Sequence, residues 1–548
     1  MKKYWLLIIA LLLGAFLRLY QLGAIPGALT WDEAALGYNA FSILKTGKDE
    51  YGKLLPIIFK SFGDYKPGLY IYLTIPSIAL FGLTEFAVRF PSVIFGLLAI
   101  FGVFLLVKEL FKDEKKNLFL ASLSALFLAI MPLHIHFSRG AWETNVFVTL
   151  LLYSIYFLIR FAREGKFLNS SILLGLLTFI TYQAAKILTP VVLIFTLLIF
   201  WQGIKTNIHH HLKKPLNLIF LLLSISIVLY LFISSITGET GNRLKRLSIF
   251  GYKPGVSEQT VVTDNSNIFT LSLFHNQSQL TTRLVASRYL KHFSPKLLFY
   301  EGYAPVDRGH VPGSGVLLVF DFIWVILGLA FLVKMFPSKI SIFILGLLLL
   351  SPLPGSLTLS EFSTVRSLFM VIPLAIICGC GAFYAWQKIK LIFVFSSFLT
   401  IIGYFYLSDL LFIHGNFVYT KEFQYGYKQA MKFINQYPES KVVMTDVWGQ
   451  PYIFYLFYSQ FNPAEYQKQN SFETGGFDVG MVSHIGDIVE FHQFGKSEVS
   501  NQYNTIFVGT IGNIDNNFDF SLPTIEKHED VYYPDGKIML RIIKTKNK

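Results

Sequence analysis

At 548 residues, with a mean hydropathy of +0.51, 53% hydrophobic residues and only 15% charged ones, the chain falls well short of the roughly one-quarter charged content of a soluble globular protein. It reads as a polytopic helical membrane protein. The net charge of +13 and pI near 9.3 argue for no nucleic-acid partner, because the basic excess sits in loops between apolar segments rather than in a soluble patch.

A helix needs about 20 apolar residues to cross a bilayer, and on that scale the chain offers spans at 4–22, 90–107, 118–137, 145–161, 169–185, 187–201, 216–236, 316–333, 340–355, 367–386 and 391–412. The first follows Lys2 and Lys3 but shows no small-x-small cleavage site, so it is expected to be a retained helix rather than a signal peptide. Leu69 to Leu83 is short and contains Pro76. If it does not cross, every short basic loop (108–117, 162–168, 202–215, 334–339 and 387–390) falls on one side, as the positive-inside rule requires. The expectation is therefore eleven spans, with the N-terminus cytoplasmic and the outer loops at 23–89 and 237–313. Cys378 and Cys380 lie inside one apolar span and read as packing residues.

Three charged clusters then fall on the outer face. The first is Thr30-Trp31-Asp32-Glu33, just beyond the first span; Tyr65-Lys66-Pro67 and Ser138-Arg139-Gly140-Ala141-Trp142-Glu143 are the others. Ionisable residues gathered at a membrane boundary point to a site for chemistry. Thr30-x-x-Glu33 also matches a helix capping box, which is the structural reading of Glu33. Asp32 would then lie in the first helical turn, where the dipole favours its ionised form and a carboxylate can accept a proton or orient a hydroxyl. The apolar face that follows, from Ala35 to Leu44, is expected to lie flat in the membrane interface. Lys66 is either a snorkelling anchor or a compact cation suited to a lipid-linked phosphate. Loop 237–313 holds nine Lys and Arg against five Asp and Glu, which favours an anionic partner.

From 414 to 548 the apolar runs stop. Twelve basic residues against fifteen acidic ones give this tail a net charge of −3. A helix at 428–437, strands at 441–445, 505–510 and 537–543, and a segment at 452–458 of either type make it a small α/β domain. The expected division is 1–413 in the membrane and 414–548 as an extracytoplasmic domain, which either recruits an acceptor or caps the membrane cavity.

Asp32-Glu33, Tyr65-Lys66-Pro67, Phe86-Ala87-Val88-Arg89-Phe90-Pro91-Ser92 and Phe137-Ser138-Arg139 with Glu143 together resemble the membrane glycosyltransferases of GT-C fold, in the protein O-mannosyltransferase and aminoarabinose-transferase group. The resemblance is strongest over about residues 1–200 and runs on through Tyr289–Gly315 and Pro354–Pro373. It implies inverting transfer of a sugar from a polyprenyl-phosphate donor, at the outer face of the cell membrane, to a lipid, protein or wall-glycan acceptor. By position it makes Asp32 the base, with Glu33 and Glu143 as further catalytic carboxylates. Lys66 would hold the donor phosphate, with Arg366 or a loop arginine as a second ligand; Arg139 would contact the phosphate or pair with a carboxylate, and Tyr65 would touch substrate. His310, by its place in the outer loop, is a further candidate for substrate contact. No cofactor is required, although Mg²⁺ or Mn²⁺ could be recruited by the acidic pairs; His209-His210-His211 is a cytoplasmic run, and His134 and His136 either line the cavity or pack. An oligosaccharyltransferase or glycan polymerase on the same scaffold is the first alternative. A non-catalytic lipid-glycan transporter is the second, and it would place its charges near the midplane in inverted repeats, which are not evident.

Overall fold

The computed structural model describes residues 3–237, 277–300, 308–358, 363–415, 417, 420, 423–469 and 482–548. The chain packs as two compact units. One comprises Met1–Leu17, Phe95–Phe137 and Glu143–Leu407; the other comprises Arg18–Ile94, Ser138–Trp142 and Ser408–Lys548. Composition divides the sequence near 413, but packing puts the first outer loop and the Ser138–Trp142 corner with the tail.

The first unit is helical. Among the described residues, five helices are long and apolar enough to cross a membrane: Glu85–Leu110, Glu143–Glu164, Lys339–Ser356, Thr364–Lys388 and Lys390–His414. Two bent pairs bring the number to seven, Asn117–Ile130 with Pro132–Arg139 at 61° and Ala185–Ile199 with Trp201–Leu212 at 97°. The remaining predicted spans are shorter helices, at Trp5–Leu19, Leu168–Phe179 and Pro215–Leu231, with Phe322–Lys334 continuing from a 3₁₀ turn. Leu69–Phe81, the segment with the internal proline, is a helix of 13 residues. The chain is thus a multi-pass membrane protein, and its helices match the predicted segments in place more closely than in length.

Helix Val371–Lys388 is buried almost throughout, between Phe322–Lys334 and Asn117–Ile130. Glycine permits that approach: a Cβ added at Gly328 would lie 2.0 Å from the carbonyl oxygen of Ile377, and one at Gly381 would lie 2.0 Å from that of Trp324. Small residues at such crossings let backbones close up where no hydrophobic driving force separates lipid from protein.

In the second unit a six-stranded sheet has the order β4-β5-β3-β6-β8-β7, with β3 at Lys441–Met444, β4 at His484–Ile485, β5 at Val489–Phe491, β6 at Thr505–Gly509, β7 at Ile525–Tyr532 and β8 at Ile538–Thr545. The strand β3 runs parallel to both β5 and β6, and the other pairings are antiparallel. One face closes on Val443, Phe494, Val499, Phe507, Ile514, Phe518, Ile525 and Ile543. The ambiguous segment at 452–458 is a helix, Pro451–Tyr458. A separate hairpin pairs β1 (Ile58–Ser61) with β2 (Asp64–Pro67).

Helix Trp31–Thr46 does not present its apolar face to lipid. Its residues from Glu33 to Ala40 are buried, against Leu69–Phe81 and Pro451–Tyr458. A Cβ at Gly37 would meet Phe457 and Val88 at 2.6 Å, and Tyr38 donates its hydroxyl to the carbonyl of Phe461 at 3.1 Å. The broad apolar stripe that predicts an interfacial helix is satisfied by protein from the far end of the sequence.

Candidate functional site

The capping box at Thr30 forms. Thr30 Oγ1 accepts from the Glu33 N–H at 3.2 Å, and Glu33 Oε2 accepts from the Thr30 N–H at 3.1 Å. Glu33 does more than cap. Its Oε1 accepts from Arg89 Nε and from the Ala141 N–H, each at 3.0 Å, and its Oε2 also accepts from Arg89 Nη2 at 3.3 Å. Four donors on two oxygens, in an ion pair whose side chains are 0% and 5% exposed, engage the carboxylate with protein. Of the two readings open for Glu33, the structural one is the one formed, and it positions its neighbour rather than facing a substrate.

That neighbour is Asp32, whose side chain is 43% exposed in the first turn of the same helix. Lys66 pairs with it from β2. The hairpin that delivers Lys66 turns through Phe62 and Gly63, at φ of 53° and 71°, the two left-handed positions a two-residue turn of type I′ requires. Phe62 adopts that conformation while its ring is buried, edge-on to Tyr452 at 6.1 Å and 5.5 Å beneath Lys66 Nζ. Tyr65, next in the strand, is half-buried opposite Lys60.

Arg139, expected to hold phosphate, is 3% exposed and donates to the backbone carbonyls of Tyr20 and Ile25 at 3.0 Å and of Arg18 at 3.4 Å, with Phe412 lying 5.2 Å beneath its guanidinium. Arg89 likewise donates to the carbonyls of Leu22, Pro26 and Ala28. These two arginines tie down the chain from Arg18 to Ala28. In the sequence Arg89 stands out only as part of a motif, yet a cation at the start of an apolar helix signals a buried partner.

Glu143, Arg366 and His310 belong to the other unit. Glu143 opens helix Glu143–Glu164, and the next residue, Thr144, donates to the carbonyl of Val365 at 2.8 Å. Arg366 Nη1 donates to Thr358 Oγ1 at 3.2 Å, and Arg288 Nη1 donates to the Thr358 carbonyl at 2.5 Å. Two guanidiniums therefore converge on one threonine, that of Arg288 coming from helix Gln277–Lys291. His310 is 4% exposed; its neighbour Gly309 accepts from Thr364 Oγ1 at 2.7 Å. His134 is wholly buried beside the Leu128 carbonyl, and His136 Nε2 lies 2.7 Å from that of Arg308. Arg243, Lys245, Arg246 and Lys253 of the basic loop lie outside the described residues. Among the described residues, no group of three or more His, Cys, Asp and Glu gathers to hold a metal ion.

Residues 65–235 match the family model described as dolichyl-phosphate-mannose-protein mannosyltransferase, a stretch that contains Lys66, Arg89, Arg139 and Glu143 but not Asp32. A search of curated proteins finds no match. Among solved structures, the chain resembles the oligosaccharyltransferase of Archaeoglobus fulgidus (12% identity, TM-score 0.49, 98% of this chain and 72% of that one) and ArnT from Cupriavidus metallidurans (12%, 0.44, 98% and 97%). It also resembles the arabinosyltransferase EmbB from Mycobacterium smegmatis (12%, 0.34, 75% and 41%).

Proposed function

We propose that the chain is a membrane glycosyltransferase of the GT-C type that moves a sugar from a polyprenyl-phosphate carrier to an acceptor hydroxyl at the outer face of the membrane, with inversion. The observation that carries the site assignment is the pairing of Asp32, in the first turn of a helix, with Lys66 on a hairpin strand, Asp32 being open to solvent and Glu33 directly behind it committed to Arg89. A carboxylate and an ammonium side by side suit this reaction. As the acceptor oxygen bonds to the anomeric carbon, its proton passes to Asp32. The bond from that carbon to the phosphate oxygen breaks on the opposite face, and the phosphate leaves with the electron pair. Lys66 has three protons and can donate to Asp32 and to the leaving phosphate together; preorganised cations stabilise the charge that builds there. Arg366, which the family pattern also assigns to donor phosphate, lies with Arg288 in the other unit. Glu143 as a further carboxylate, and Tyr65 and His310 as substrate contacts, belong to the same proposal.

Transfer by the full chain in lipid, from radiolabelled polyprenyl-phosphate sugars to a membrane extract, tests this reading. Lys66→Ala is expected to lose about 10²–10³-fold in kcat/KM, with a raised KM for the donor. Activity within threefold of wild type would remove Lys66 from the donor site. In the scheme side chains supply the cationic charge, so wild-type transfer should persist in EDTA. Loss in EDTA that Mg²⁺ or Mn²⁺ restores would assign part of that charge to a divalent cation instead.

The basic short loops support an orientation with the N-terminus inside and the C-terminal domain outside. Lys537 is exposed on a turn of that domain, and both native cysteines are buried. A Lys537→Cys variant should therefore be labelled by an impermeant maleimide in intact cells. Labelling only after permeabilisation would invert the topology.

A further inference from the structure

The tail's loop Asp446–Gly449 leaves β3 at the carboxyl end of the parallel strands β5, β3 and β6, the place where α/β sheets commonly bind ligands. Its tip is apolar and exposed, with Val447 51% and Trp448 40% accessible. The loop is nevertheless held firmly. The Gly449 N–H donates to the Asp446 carbonyl at 2.9 Å, and Gln493 Nε2 donates to Asp446 Oδ1 at 2.5 Å. Gly449 and Gln450 both sit in the left-handed region, at φ of 71° and 54°, and a non-glycine residue kept there marks a position fixed by its surroundings.

What surrounds it is the site. A Cβ added at Gly449 would lie 3.7 Å from Cζ3 of Trp31, the residue immediately before Asp32. The Trp31 N–H is in turn held by Gln424 Oε1 at 3.2 Å. On the other side of the loop, Tyr452 packs edge-on against Phe62, whose ring underlies Lys66. The loop therefore abuts the element that carries Asp32, the helix that follows it abuts the hairpin that carries Lys66, and its tip is an indole offered to solvent.

We infer that this loop is the acceptor-side wall of the site, and that Trp448 stacks on a sugar ring of the acceptor, making it a specificity-determining residue; the inference rests on the transferase reading above. An indole supplies a wide, rigid apolar plane that matches the carbon–hydrogen face of a pyranose. The Asp446 carboxylate and Gln493 amide beside it match the hydroxyl edge. A peptide acceptor fits less well, because β3 is an interior strand and presents no unpaired edge to which a peptide backbone could add. The sugar ring can belong to a glycolipid or to a wall glycan.

The test uses the full chain in lipid with a fixed polyprenyl-phosphate sugar donor and three acceptors: a glycolipid, a soluble wall-glycan fragment and a serine-rich peptide. Trp448→Ala is expected to raise the KM for whichever glycan acceptor is used by about tenfold, with the KM for donor kept within twofold, and Trp448→Phe should recover most of the loss. The acceptor that wild type uses tells the two glycan sources apart. An unchanged acceptor KM, a parallel rise in donor KM, or wild-type transfer to the peptide alone would overturn the inference. Failure of wild type to transfer from any donor would instead count against the transferase reading itself.

Discussion

Replacing Asp32 by Asn is expected to lower sugar transfer by about 10²–10⁴-fold while leaving the thermal unfolding midpoint close to that of wild type. Both halves follow from geometry. Asn keeps the shape of the side chain but cannot take up the acceptor proton. It leaves the helix cap untouched, because Thr30 and Glu33 make that cap and Asp32 does not. The bond lost to Lys66 joins a side chain 43% exposed to one 19% exposed, and ion pairs so open to solvent contribute about 0–1 kcal/mol. The helix dipole favours the ionised carboxylate and so makes it a weaker base. Most of its catalytic effect must then come from being held against the acceptor hydroxyl, which predicts a steep dependence on side-chain length: Asp32→Glu, with the carboxylate displaced by one methylene, should recover only part of the loss. An Asp32→Asn variant within threefold of wild type would leave the proton with another group.

Asp32 and Lys66 were legible in the sequence because charge at the end of an apolar segment is costly and therefore conspicuous. Their pairing was not legible, since it depends on the hairpin at Ile58–Pro67, whose strands are four residues long and turn on Phe62, an aromatic that no turn rule favours. The spans were legible in position because hydropathy is local. Their bends were not, nor was the fate of the helix at Trp31–Thr46: an apolar stripe shows that a face is covered but not by what, and here Phe457 covers it from more than 400 residues away. The strand β7 was invisible for a different reason. It is an edge strand reading Glu526-Lys527-His528-Glu529-Asp530 on largely exposed positions, the charged guard that a sheet edge needs against further pairing, and it carries no period-two signal. Glu33 shows how one motif can be read correctly and incompletely: the capping box was visible three residues apart, but Arg89, 56 residues away, was not.

Arg89→Met and Glu33→Gln are each expected to destabilise the protein by about 3–5 kcal/mol, because removing one member of a buried pair strands the other's charge where water cannot reach it. Arg89 carries the larger share. Its guanidinium also satisfies the carbonyls of Leu22, Pro26 and Ala28, and a buried acceptor left without its donor costs about 1–3 kcal/mol. Glu33→Gln keeps an oxygen for the helix cap and so should fall at the lower end. The double variant Glu33→Met with Arg89→Met separates the two contributions. If the stranded charge dominates, the double change should cost clearly less than Arg89→Met alone; if the carbonyls dominate, it should cost at least as much as Arg89→Met alone. Thermal unfolding in detergent reads this directly, and midpoints unchanged in both single variants would mean that the pair does not hold this region. The same pair fixes the start of the helix that presents Asp32, so a surviving fraction of Arg89→Met, assayed well below its midpoint, should bind donor through Lys66 but transfer sugar slowly. That pattern, with kcat falling more than donor affinity, is the mark of a residue that acts by positioning the base. Asp32→Asn should lose activity without losing stability, and Arg89→Met should lose both.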